Sequence, residues 1–159
     1  MSKLTPSQTI GPFFHEGLKW AIQPPSDSPD TVRVSGLVLD RDGKPVNDAL
    51  IEVWQPAWGA PPFGGLQRVM SDDNGYFSFV MPKPEVGQVH ASVTVFARGL
   101  LHALFTRVYL HARDDLAAIE LPVGVPQGRR DTLIPKRAGD GYAWNIRLRG
   151  EGETVFFAL

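Results

Sequence analysis

The sequence predicts an all-β fold, an antiparallel β-sandwich of about seven or eight strands with long loops and one short helix. Three observations carry that expectation. Apolar and polar residues alternate over short runs, which is the period of a half-buried strand and not of a helix. Asp-Gly, Asn-Gly and proline-rich punctuation, drawn from 16 glycines and 14 prolines, separates those runs. Only DDLAAIE (114–120) has the composition of a helix, with an acidic start suited to the helix dipole. At 159 residues the chain is long enough for one domain with its own hydrophobic core.

The chain opens with TPSQTIGPFF (5–14), which fits neither period. Its prolines and glycine impose an extended, turning path, and Ile10, Phe13 and Phe14 need a surface to bury against. That surface belongs either to this domain or to another chain. With the polar QPPSDSPD (23–30), the segment makes an arm and loop over 1–31, followed by a sandwich domain over 32–159. VRVSGLVLD (32–40) alternates as a first strand, RDGKP supplies an Asp-Gly turn, and ALIEVWQ (49–55) is a second strand. Residues 56–74, PAWGAPPFGGLQRVMSDDN, read as one long loop, the usual place for functional groups on such a scaffold. GYFSFVM (75–81), HASVTVF (90–96) and FTRVYL (105–110) are further strands, and YAWNIRLRG (142–150) and TVFFAL (154–159) close the chain.

Composition excludes several classes of function. The formal net charge is −1, with basic residues scattered apart from Arg129-Arg130 and Lys136-Arg137, which argues against a nucleic-acid or membrane-surface partner. With no cysteine, disulfides and thiolate chemistry are ruled out, so a metal could be held only by His, Asp, Glu, Tyr or backbone oxygen. No leader-like apolar region or membrane-length run is present, so a cytoplasmic location is expected.

The candidates for chemistry are few. His15, His90, His102 and His111 form no HxH, HxxxH or HExxH spacing. In QVHASVTVF (88–96), His90, Ser92, Thr94 and Phe96 share one face of a strand, while Ala91, Val93 and Val95 share the apolar other. A lone strand histidine serves either as a ligand or as a hydrogen-bonded interior residue. Asp72-Asp73 and Asp114-Asp115 sit where turns and helix starts place solvated or capping carboxylates. No serine has a nucleophile-elbow context and no phosphate loop occurs. Arg98 follows an apolar strand in FARG; it either reaches solvent or meets an anion, since a guanidinium forks onto a carboxylate.

Several stretches together resemble the intradiol ring-cleavage dioxygenases, and within that family the alpha subunits of protocatechuate 3,4-dioxygenases. They are TPSQTIGPFF (5–14), VSGLVLDRDGKPVNDALIEVWQ (34–55), DDNGYFSF (72–79), VTVFARGLLHALFTRVYL (93–110), RRDTLIPKR (129–137) and GEGETVFFAL (150–159), which span nearly the whole chain. The resemblance implies a β-sandwich. It also implies a partner, a beta subunit whose non-haem Fe(III) is held by two tyrosines and two histidines, the histidines as HxH on one strand. QVHASV takes that strand's place, where residues two apart project the same way, about 6.6 Å apart. Here the pair reads His90 and Ser92, and a hydroxyl is a poor substitute for imidazole on ferric iron. Residues 56–65 and 82–88, where the tyrosine ligands would fall, contain no tyrosine. The resemblance therefore implies that His90 and Ser92 mark a vestigial metal position and that this chain binds no iron of its own.

On matching positions, the resemblance implies that Thr9, Gly11, Pro12 and Phe13 of the arm, with Arg98, complete the substrate pocket beside the partner's iron. The assembled enzyme would cleave protocatechuate with O2 to 3-carboxy-cis,cis-muconate. The loops at 20–31, 56–74 and 82–88 are shorter than is usual in such subunits, which bears on substrate range. Against this stands a stand-alone transthyretin-like binding module, which needs no partner and gives TPSQTxGPFF no purpose. A hydroxyisourate hydrolase would end in a YRGS-type tail instead of GEGETVFFAL, and a homomeric dioxygenase would need the missing tyrosines.

Overall fold

Nine short strands and three 3-10 turns make up the regular structure of the computed structural model, which describes residues 10–22, 27–55, 64–112 and 116–158. The strands are β1 (Thr31–Leu39), β2 (Leu50–Trp54), β3 (Leu66–Met70), β4 (Tyr76–Pro82), β5 (Gln88–Phe96), β6 (Leu104–His111), β7 (Lys136–Ala138), β8 (Gly141–Ala143) and β9 (Ile146–Arg147). They form two sheets. One runs β4-β1-β8-β7, with β9 also on β1; the other runs β3-β2-β5-β6. The all-β sandwich expected from the sequence is what the chain adopts.

Alternation decides which side chains fill the space between the sheets. Val34 and Val38 of β1, Phe77 and Phe79 of β4, Ile51 and Val53 of β2, Val93 and Val95 of β5, and Val108 and Leu110 of β6 are all buried in one core. Trp144 meets Phe77 and Phe79 edge-on at 6.3 and 6.4 Å, a favoured aromatic geometry. Its indole N–H donates to the Thr132 carbonyl at 2.9 Å, so its polar edge is satisfied. The free edge of β6 is covered as well. Phe157 N–H donates to Phe105 O, Tyr109 N–H to Leu133 O, and Thr106 Oγ1 to Val155 O. The C-terminal segments thus blunt an edge that would otherwise pair with another chain.

The structure departs from the sequence expectation in several places. Of TVFFAL, expected as a closing strand, the described part makes only a single bridge, Phe157 to Phe105, and Lys136–Ala138 forms β7 where no strand is expected. The RDGKP turn does not join two strands of one sheet. Asp40 Oδ1 accepts from the N–H groups of Asp42 and Lys44, and Gly43 takes φ 78°, after which the chain crosses to the second sheet. YAWNIRLRG is two strands. β8 and β9 both pair parallel to β1 in unbroken register, and between them Asn145 Oδ1 replaces a backbone carbonyl as acceptor for Leu37 N–H. Gly36 is required there, because a Cβ would lie 1.8 Å from the Trp144 carbonyl oxygen. The loop read over 56–74 contains β3. Of DDLAAIE, the described part (116–120) holds a single 3-10 turn, Leu116–Ala118.

Candidate functional site

The arm lies across one end of the second sheet. Ile10 N–H donates to the Leu100 carbonyl at 2.6 Å, which ties the arm to the turn after β5. That turn needs glycine: Gly99 takes φ 86°, and Leu100 N–H closes back onto Ala97 O. Phe14 stacks on Phe96, the last residue of β5, with ring centroids 6.3 Å apart. Gly11, Pro12 and Phe13 are exposed between these two attachments, and Phe13 is 72% exposed. Thr9 lies outside the described residues.

Arg98 stands two residues beyond Phe96, so it shares this end of the sheet with the arm. Its Nε–H donates to Asp48 Oδ2, and the side chain stays 61% exposed. The ion pair holds the guanidinium at the strand end without burying it, which leaves a cation that a carboxylate can approach from solvent. Gly11, Pro12, Phe13 and Arg98 are therefore gathered at one end of the molecule. His90 is not among them, because it lies near the start of the strand that ends at Phe96, about 20 Å away for six extended residues.

The His90 end has different chemistry. His90, Ser92 and Thr94 alternate with the fully buried Ala91, Val93 and Val95, as the strand period requires. His90 is exposed, against the expectation of an interior hydrogen-bonded histidine, and its ring lies 5.5 Å from that of Tyr109, its cross-strand partner. Ser92 is paired with Arg107 in the same register. The Arg107 guanidinium sits 5.6 Å over the Phe157 ring, and its Nε is buried with no hydrogen-bond partner among the described residues. Partial burial and, after it, the charge of Arg107 push His90 below the usual histidine range.

These residues do not fit a ferric ion. One imidazole and one phenol stand beside a fixed guanidinium, which repels a trivalent cation, and Ser92 is the wrong donor. Among the described residues no group of three or more His, Cys, Asp or Glu converges on a point. The 56–63 stretch, outside those residues, has no tyrosine, histidine or acidic side chain to add.

The site residue that the sequence did not reveal is Arg68 of β3. It is only 4% exposed, its Nε–H donates to Glu52 Oε1 at 2.7 Å, and its two terminal nitrogens donate to the carbonyls of Gly17 and Phe14. LQRVM reads apolar, polar, polar, apolar, apolar, which is not the strand period, so no alternation marks β3. The opposite charges of Arg68 and Glu52 become a pair only once the register between β2 and β3 is known.

Over 98% of its length the chain is 36% identical to a protocatechuate 3,4-dioxygenase alpha chain from Burkholderia cepacia, covering 97% of that protein. The chain belongs to the protocatechuate 3,4-dioxygenase family. A Pseudomonas putida alpha chain of this family is 33% identical, with 96% of this chain and 95% of that one covered. A Burkholderia cepacia protocatechuate 3,4-dioxygenase beta chain is 29% identical, with 93% and 77% covered. Membership in the family makes this an oxidoreductase chain of the intradiol type. Solved structures agree on the fold. A 3-chlorocatechol 1,2-dioxygenase from Rhodococcus opacus superposes with TM-score 0.55 at 17% identity, over 80% of this chain and 62% of that one. A hydroxyquinol 1,2-dioxygenase from Pseudomonas putida gives TM-score 0.53 at 20% identity, over 90% and 65%. No protein-family model matches the chain. No helix among the described residues is long and apolar enough to cross a membrane.

Proposed function

We propose that this chain is the iron-free alpha subunit of a heteromeric, cytoplasmic intradiol dioxygenase that cleaves protocatechuate with O2 to 3-carboxy-cis,cis-muconate. A beta-type partner holds the Fe(III). The observation that carries the proposal is the division of β5. At its start, the position that would bear a histidine pair instead faces Arg107; at its end, the arm and Arg98 converge on an exposed surface. Within this chain, Arg98 supplies charge to a carboxylated aromatic ring, and the Gly11-Pro12-Phe13 segment, with Thr9 before it, supplies shape. Among the described residues nothing lies within 4 Å of where a Cβ on Gly11 would stand, so the arm backbone is open there. That is expected where the backbone must admit something from outside. Phe13, Leu18 and Leu101 are exposed apolar side chains on the arm and the turn beside it, which suits a surface closed by a second protein.

Co-expression with a beta-type subunit of the family tests the proposal. The chain purified alone is expected to be colourless, iron-free and inactive; the complex is expected to carry iron and turn over protocatechuate. In the complex, Arg98→Ala should raise KM for the carboxylated substrate by about 10- to 100-fold, the range for losing a charged hydrogen bond. An iron-loaded, active homomer would refute the reading.

A further inference from the structure

We propose that Arg68, braced by Glu52, is the positioning residue for the arm: it fixes where Gly11, Pro12 and Phe13 stand relative to Arg98. The proposal rests on the reading that the arm borders the substrate pocket of the assembled enzyme.

An arginine that is 4% exposed in an edge strand calls for a physical account. Burying a guanidinium is costly unless charge and donors are both matched. Glu52, directly opposite on β2, neutralises it through Nε. Each terminal nitrogen donates to the arm backbone, one to Gly17 O and the other to Phe14 O, the latter at 3.3 Å. Two carbonyls three residues apart are thereby clamped by one planar group, a geometry a lysine ammonium cannot reproduce. Phe14, whose carbonyl is held, is also the residue stacked on Phe96. The segment just upstream is Gly11-Pro12-Phe13.

The backbone beyond the clamp is strained in the sense the proposal requires. Leu18 takes φ 52° and ψ 37°, the left-handed region, although it carries a branched side chain that is exposed. Such a conformation costs about 1–3 kcal/mol and persists only where the surroundings impose it. Here the surroundings are Arg68 on the carbonyl of Gly17 and, past the 3-10 turn Lys19–Ala21, a bridge pairing Ile22 with Arg68 itself. One residue of β3 thus meets the arm at Phe14, Gly17 and Ile22.

The test uses the full chain, alone and assembled with an iron-bearing beta-type subunit. Arg68→Lys keeps the charge for Glu52 and loses the clamp. A double variant, Arg68→Met with Glu52→Gln, removes both charges together and strands neither. In the isolated chain, amide hydrogen exchange over residues 10–17 should quicken about tenfold or more in both variants, with the core strands unaffected. In the assembled enzyme, KM for protocatechuate should rise about tenfold while kcat and the iron absorption band stay within about twofold of wild type, the signature of a misplaced binding surface. Unchanged arm exchange would overturn the proposal. So would faster arm exchange with an unchanged KM, provided Phe13→Ala does change KM. If Phe13→Ala also leaves KM unchanged, the arm does not border the pocket, and the reading on which this proposal rests falls with it.

Discussion

Arg107 stands one row along from His90 on the outer face of the second sheet, so its fixed charge acts on the imidazole. His90 is held below its ordinary value of about 6.5, first by partial burial and then by the guanidinium. The unfolded chain therefore binds the proton more tightly than the folded one. This contribution to stability is complete above the ordinary histidine value and is lost as pH falls through the depressed one. Titration of the His90 ring followed by NMR should give a midpoint below about 6.5. Arg107→Met should move that midpoint up only part of the way, because burial, the larger cause, remains. A midpoint indifferent to Arg107 would show that the two groups do not interact. At this scale the sequence was partly legible. That His90 and Ser92 share a face follows from the strand period alone. That Ser92 faces Arg107 does not, because cross-strand partners depend on register.

Among the elements, β3 shows how a strand hides in a sequence. Leu66–Met70 follows eight residues dominated by proline, glycine and small side chains, and its central residue is an arginine that looks like a solvent group. Only the Glu52 partner and the arm carbonyls make burial of that arginine affordable. Gln67 does related work on the other face. Its Nε2 donates to Val80 O at 2.7 Å and its Oε1 accepts from Val80 N–H at 3.1 Å, so one amide side chain stitches β3 of one sheet to β4 of the other. Gln67→Leu leaves both backbone groups of Val80 without that partner and should cost about 1–3 kcal/mol. The measurement is the urea midpoint at unchanged m-value; a loss below about 0.5 kcal/mol, the level of an ordinary surface change, would mean that water replaces the amide at no cost. Strands whose faces differ clearly, such as β1, β2, β4 and β5, were legible because burial alone sets their pattern. β8 and β9 look like one strand in the sequence because the side-chain role of Asn145 in the ladder leaves no mark on alternation.

For the molecule as a whole, the distribution of burial predicts a rigid sandwich carrying a loosely held end. Val34, Val38, Ile51, Val53, Val93 and Val95 are fully buried in strands bonded on both sides, so their amides should exchange only through global unfolding. The arm is different. Among the described residues, 10–17 are tied by the Ile10 bond to Leu100, the Arg68 clamp and the Phe14 stack, and Gly11, Pro12 and Phe13 are exposed between them. In the isolated chain the amides of residues 10–17 should therefore exchange orders of magnitude faster than the core, by local opening that leaves the sheets intact. If this end closes against a second subunit, binding covers the exposed apolar side chains and must order the arm further, which draws on the interaction energy. Protection over 10–17 should then rise on assembly with the iron-bearing subunit, while protection in β1, β2 and β5 stays as it was. Exchange measured before and after assembly decides the matter. Arm amides already as slow as the core in the isolated chain would mean that the arm is part of the sandwich. Arm amides unchanged on assembly would mean that the partner binds elsewhere.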